Sequence, residues 1–280
     1  MKLGSNDISA VKIGSTDVNK IYIGSTEVWS ASSAFTFTVD TTQSGTSASD
    51  QFTLPLITST GLDCVVDWGD GTTDNITSHT APEVTHTYPS GGTYTIAISG
   101  DILGWRFNDG GDRFKMGEIQ KWGVLNISVD AGFWGCGNMT CTATDAPTIT
   151  TTILTRYFRN CDNFNGAIGN WDVSNVQVMN VMFYDSDAFD QDISNWDITQ
   201  VTNFTNFMTL STGLSTTNYD ALLVGWEATL QSAYPSGVGY TYSININFGG
   251  SKYTAGSAAA TARQSLIDNY SWTITDGGTA

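Results

Sequence analysis

Asp67, Asp70 and Asp74 place three carboxylates in one short loop together with Asn75. An oxygen-rich loop of this kind can wrap Ca²⁺. The spacing lacks the closing Glu of an EF-hand, and Trp68-Gly69-Asp70-Gly71 reads equally as an Asp-Gly turn. A second set of acids recurs along the chain: Asp162 and Asp187, Asp172 and Asp197, and Asp190 where Asn165 stands one period earlier. An inverting glycosidase needs two carboxyl groups about 6.5–9.5 Å apart. The simpler task for acids at turns is to accept backbone N–H groups. Of the two histidines, His86 lies in His-Thr-Tyr and His79 in a polar loop, and neither has convergent partners that would make it a catalytic base. No nucleophile elbow, phosphate loop or zinc-spaced Cys/His set is present. The sequence therefore predicts no enzyme and no cofactor. Trp105, Trp134 and Tyr184 are candidates for a sugar-stacking face, with plain packing as the alternative.

The element that must carry most of these residues is a repeat. Asn170-Trp171-Asp172-Val173-Ser174-Asn175-Val176 returns as Asn195-Trp196-Asp197-Ile198-Thr199-Gln200-Val201, an offset of 25 residues. Phe164 returns as Phe189, and Phe158, Met179 and Cys161 project back onto Phe133, Leu154 and Cys136. A fixed period of this length with an apolar skeleton marks a solenoid. Val176, Met179, Met182 and Phe183 step by three and four, which predicts a short helix in each unit, capped by Ser174. A unit is then a short helix, a turn and a strand-like rung, and it buries its apolar face only by stacking on its neighbours. Trp171 and Trp196 should stack one over the other. Cys136 and Cys161 share a repeat position, which favours a ladder of small buried thiols. A disulfide between adjacent rungs is the alternative. Cys64 and Cys141 complete the four cysteines, without CxxC spacing.

These repeats resemble those of the BspA-like leucine-rich-repeat surface proteins of bacteria. The shared pattern, Phe-Asn followed by Asn-Trp-Asp-Val-Ser-Asn-Val and Met-x-x-Met-Phe, is complete over 164–183 and looser over 189–208. The resemblance implies a surface protein and adhesion.

Two further segments precede the array. Residues 1–30 hold a ten-residue repeat: Leu3-Gly4-Ser5-Asn6-Asp7-Ile8, Ile13-Gly14-Ser15-Thr16-Asp17-Val18 and Ile23-Gly24-Ser25-Thr26-Glu27-Val28. Each Gly-Ser is a turn signal between short strands, and so small a β-meander is marginal alone. It resembles N-terminal segments of marine phage virion proteins, which implies an attachment module binding other virion proteins. An ordinary meander packed on the next domain is the alternative. After a small-residue linker, residues 34–103 carry Trp68-Gly69-Asp70-Gly71, His86-Thr87-Tyr88 and Gly92-Thr93-Tyr94-Thr95-Ile96. They resemble the PKD domain, an immunoglobulin-like β-sandwich that serves as a spacer or weak binding module.

Beyond the array, residues 214–280 read as a cap with helices starting near Thr217 and Ser257 and strands at 242–248 and 272–275.

Composition limits the partners. The net charge of −16 argues against a nucleic-acid backbone, since no basic patch can displace its counterions. No apolar run is long enough to span a bilayer, and there is no insertion signal. The start of the sequence shows no secretory leader. That fits a virion protein assembled inside its host, although a mature exported fragment reads the same.

The expectation is a mainly β, multidomain protein. It comprises a β-meander attachment module (1–30), an immunoglobulin-like sandwich (34–103), a short α/β solenoid (104–213) and an α+β cap (214–280). Its expected role is that of a bacteriophage virion protein on head or tail, homo-oligomeric and displaying a surface that binds glycans. A bacterial cell-surface adhesin is the alternative.

Overall fold

The computed structural model describes residues 33–280 throughout and, of residues 1–32, the backbone of six short strands. Those six form antiparallel hairpins: β1 (Lys2–Leu3) with β2 (Asn6–Asp7), β3 (Val11–Ile13) with β4 (Thr16–Val18), and β5 (Lys20–Ile23) with β6 (Thr26–Ser30). Each decapeptide closes on itself, and no ladder joins one hairpin to the next among the described residues. The Gly-Ser pairs at 4–5, 14–15 and 24–25 lie outside those residues.

The described chain is mainly β, with two α-helices. Its largest sheet contains β7 (Phe35–Asp40), β9 (Asp63–Asp67), β10 (Thr73–Ile76), β12 (Thr93–Asp101), β13 (Met116–Lys121) and β15 (Thr140–Cys141). The spatial order is β10-β9-β12-β7-β13-β15, open at both edges. All pairs are antiparallel except β13 with β15. The alternation in β7 puts Phe35, Phe37 and Val39 wholly inside, as period-two patterning requires. A separate ladder, β8 (Gln51–Thr53) with β11 (Thr85–Thr87), brings Phe52 against Phe37, with ring centroids 6.2 Å apart. The sheet does not stop at residue 103: β13 pairs with β7 on one side and with the repeat strand β15 on the other.

A buried ion pair closes the same joint. Lys115 and Asp112 are both fully buried. The Lys115 ammonium donates to the carbonyls of Ala48 and Gln51, at 2.7 and 2.8 Å, and to Ser47. Asp112 accepts from the N–H of Thr53 at 2.8 Å and from the N–H and hydroxyl of Ser47. The polar loop between β7 and β8 is thereby tied to the turn that opens the repeats. Burial pulls the lysine below its ordinary range, against the pull of Asp112.

From there the chain winds into coils, opened by a parallel pair, β14 (Asn126–Ile127) with β16 (Thr148–Ile149). The helices predicted within the repeats do not form. Instead, alternate N–H groups of one coil donate to the next: Leu154, Arg156, Phe158 and Asn160 to the carbonyls of Val178, Asn180, Met182 and Tyr184. Met179, Val181, Phe183 and Asp185 repeat this onto Asn203, Thr205, Phe207 and Thr209. N–H groups between them close local turns, as in Tyr157 to Leu154 and Arg159 to Arg156. Consecutive turns share the three-to-four spacing of a helix, which is why Met179, Met182 and Phe183 looked helical. Ser174 is not an N-cap; its N–H and hydroxyl donate to Asp172.

The turn geometry repeats with the sequence. Ala131, Arg156, Val181 and Asn206 have φ of 54, 58, 61 and 58°, and Asn160, Asp185 and Leu210 follow at 54, 54 and 68°. A β-branched residue such as Val181 resists this left-handed conformation; the bonds from neighbouring coils hold it there.

Aromatic columns fill the interior. Phe133, Phe158 and Phe183 stack at 5.9 and 5.7 Å, and Phe164 lies over Phe189 at 6.2 Å with planes 1° apart. Trp171 and Trp196 are buried but do not stack on each other: Trp171 packs edge-on to Trp122 at 5.1 Å. Trp196 donates from Nε1 to the Ile168 carbonyl at 3.0 Å. Trp226, in α1 (Thr216–Ala233), does the same to Ile193 at 3.0 Å. The segment after residue 213 therefore continues the stack. β17 (Asn245–Asn247) pairs in parallel with β18 (Thr273–Thr275), and Met208 donates to Asn247 and Phe248 to Thr275. Helix α1 and α2 (Ala258–Tyr270) replace the outer arms of these last coils. Ser215 and Ser257 cap them by accepting N–H bonds in the first turn.

Candidate ligand-binding face of the solenoid

The carboxylates of the 67–74 loop each have partners within the protein. Asp67 accepts from the Gly69 N–H, Asp74 from Trp68 Nε1 at 2.8 Å, and Asp70 from the N–H and hydroxyl of Thr72. The other oxygen of Asp70 meets His86 Nε2 at 2.8 Å, while the His86 ring stacks on Trp68 with centroids 4.6 Å apart. Burial works against ionisation of Asp70, but the bonds from Thr72 and His86 outweigh it and hold its carboxyl below the ordinary range. The three aspartates thus serve separate partners, and no acidic or histidine cluster suited to a metal occurs among the described residues. His79 shares a hydrogen bond of 2.8 Å with Ser59.

Asp172 and Asp197 each accept from the residue two positions on, Ser174 and Thr199. Asp187 accepts from Thr212, and Asp190 from Ser215 and Asn218, one coil further along. Asp162 differs. Partial desolvation by its neighbours, with Asp185 and Asp187 nearby, raises its carboxyl above the ordinary value although the residue itself is exposed, and no donor to it is found among the described residues. Its folded pKa exceeds its unfolded one, so its ionisation opposes folding above that window and has no effect once both states are protonated. Asp162→Asn should therefore raise the melting temperature at pH 7, and the gain should vanish near pH 3. A melting temperature unchanged at pH 7 would show that solvent screens this acid completely.

The four cysteines are free thiols. Cys136, Cys161, Ser186 and Ser211 occupy one repeat position. Cys161 Sγ donates to the Phe133 carbonyl at 3.0 Å, and Ser186 and Ser211 donate to Phe158 and Phe183 at 2.6 Å each. The position requires a small donor, which sulfur and oxygen both supply. Burial keeps the Cys136 and Cys161 thiols protonated.

The three aromatic candidates separate. Trp105 is 2% exposed, wedged among Phe35, Phe37, Phe107 and Phe133, and is a core residue. Trp134 and Tyr184 lie half-buried on one face, two coils apart, with Arg159 between them. The Arg159 guanidinium sits 4.9 Å from the Trp134 ring centre and 4.8 Å from that of Tyr184. Arg156 lies over the same tryptophan at 5.3 Å. The rings thus flank cations rather than lying as bare platforms. Nearby, Arg106 pairs with Asp130 and Arg113 with Asp109, each at 3.1 Å. Four of the five arginines therefore sit together on the first coils. Aromatic content alone singled out Trp134 and Tyr184. The arginines carried a signal of their own, since Arg156 and Arg159 are the only basic residues between Lys121 and Lys252.

The coils that present this face fall within a stretch that a family comparison recognises. Residues 127–220 match the family described as Mycoplasma protein of unknown function, DUF285. The match spans about a third of the chain, from β14 into the start of α1. Comparison with curated proteins and with solved structures gives no match.

Proposed function

We propose that this chain is a displayed recognition protein and not an enzyme, its solenoid face binding glycans on a cell or in the surroundings. The observation that carries this reading is the Trp134–Arg159–Tyr184 ladder with Arg156 beside it. These are half-exposed recognition residues on a hydrogen-bonded stack, whereas most of the acids that catalysis would need are engaged at turns. Residues 34–103 act as a PKD-like spacer and need no cofactor. The carrier is a bacterial cell surface. The family match and the resemblance to BspA-like adhesins both support that location. A second reading, a bacteriophage head or tail protein, is favoured by the three decapeptide hairpins at 1–30, which suit attachment to a neighbouring protein in a particle. In either setting several copies displayed together would strengthen weak sugar contacts through avidity.

Binding of the labelled full-length protein to intact bacteria, competed with soluble oligosaccharides, tests the recognition reading. Binding that no saccharide reduces, or no binding, rejects it. The hairpins make a separate expectation. Deleting residues 1–30 should leave the melting temperature of the remainder unchanged and release it from envelope or particle. Retention at the full-length level would assign anchoring to another part of the chain. Antibody labelling of cells against purified particles decides between the two carriers.

A further inference from the structure

We infer that the face formed by Trp134, Arg156, Arg159 and Tyr184 selects glycans carrying a single oxyanion, a carboxylate or a sulfate ester, on an otherwise neutral sugar. This rests on the glycan reading above and adds its chemical class. Between Lys121 and Lys252 the chain has eleven carboxylates and only two basic residues, Arg156 and Arg159. In so acidic a setting each guanidinium would be expected to take a carboxylate partner, as Arg106, Arg113 and Arg263 do. Arg156 and Arg159 take none among the described residues. Arg159 donates from Nε to the neutral amide oxygen of Asn160 at 3.0 Å. The nearby Asp185 is itself held by the Asn160 amide at 3.0 Å. Arg156 Nε and Trp134 Nε1 meet no acceptor of the protein, and covered donors left in that state are costly.

The geometry suits an oxyanion. Both guanidiniums rest on the same indole, three residues apart, and each is half-exposed. Stacking fixes the plane of each fork, so the free edge can donate two parallel bonds to a carboxylate or sulfate with little further ordering. The rings alongside supply an apolar border for a sugar. The net charge of −16 sets the upper limit on ligand charge: a polyanion would be repelled by the rest of the surface, whereas one oxyanion beside two cations is not.

The test is an array of neutral, uronate-bearing, sialylated and monosulfated oligosaccharides, probed with the full-length protein and with Arg156→Gln, Arg159→Gln and Arg159→Lys, each checked for an unchanged melting temperature. The full-length protein should prefer acidic over neutral members. Each Gln variant should lose at least about tenfold in affinity for the acidic ones, from the charge-assisted bonds removed. Arg159→Lys keeps the charge and loses the fork, so it should fall between; carboxylate and sulfate members rank the two sources. Glycan binding that is indifferent to charge, or that all three variants retain, overturns this inference and leaves the recognition role standing. Silence across every saccharide overturns both.

Discussion

Lys115→Met is expected to destabilise the fold by about 3–5 kcal/mol, the cost of breaking a buried pair by removing one partner. The substitution fits the volume of the lysine stem but withdraws the donors that the carbonyls of Ala48 and Gln51 and the hydroxyl of Ser47 depend on. Asp112 then stays buried with its charge, keeping its bonds from Ser47 and Thr53 but losing the counter-charge 3.8 Å away. The loss should appear as a fall in melting temperature of roughly 10 °C for a chain this long. It should also appear as early proteolysis within residues 41–49, which the ammonium ties to the turn before β13. Asp112→Asn with Lys115→Met should cost clearly less than the sum of the single changes, because each removes the reason for the other. A loss under about 1 kcal/mol, or strict additivity, would mean that neighbouring packing holds this loop without the ion pair.

Trp196→Ala should cost as much, about 3–5 kcal/mol for emptying a fully buried aromatic site, and should unfold more than its own coil. Reading the chain as separate domains predicts that residues 34–103 stay folded when the coils melt. The structure leads to a different expectation. β13 lies between β7 and β15 in one sheet, and the buried side chains from Phe35 to Trp272 form one continuous cluster. The variant should therefore show a single cooperative transition, the same by far-ultraviolet and near-ultraviolet dichroism. Trp171→Ala should cost somewhat less, because Trp171 Nε1 has no acceptor to lose, while Trp196 loses its Nε1 bond to the Ile168 carbonyl, which keeps only the N–H of Trp171. A protease-resistant fragment ending near residue 121 and outlasting the coils would contradict the single-unit view.

The repeat was legible because its cause is local. Each coil needs the same apolar residues in the same places, so Phe133, Phe158 and Phe183 announce one another. The conformation of the coil was not, because Val176, Met179, Met182 and Phe183 have the spacing of helix and of successive turns alike. What separates the two is the destination of the backbone N–H groups, and those go to residues about 24 positions away. Trp226 was hidden for a related reason. It continues the series of Trp171 and Trp196, but from a helix that changes the offset to 30 residues. Trp105 shows the limit of reading aromatics singly, since its burial comes from Phe35 and Phe133, far away in the chain. The Arg156–Arg159 pair was visible as a rarity of charge, and only the fold supplied the tryptophan beneath it.

The recurring backbone dihedrals make chain length in the array a quantised variable. Removing any 25 consecutive residues between 154 and 210 brings a residue with the right torsion angles to every position vacated, and each N–H then finds a carbonyl of the same kind one coil further on. Removing 24 or 26 sets Val181-type and Leu210-type torsions against residues built for extended backbone and turns the phenylalanine columns outward. Lineages of this protein should therefore differ by whole coils, and each added coil lengthens the stack by one coil spacing while leaving the arginine face intact.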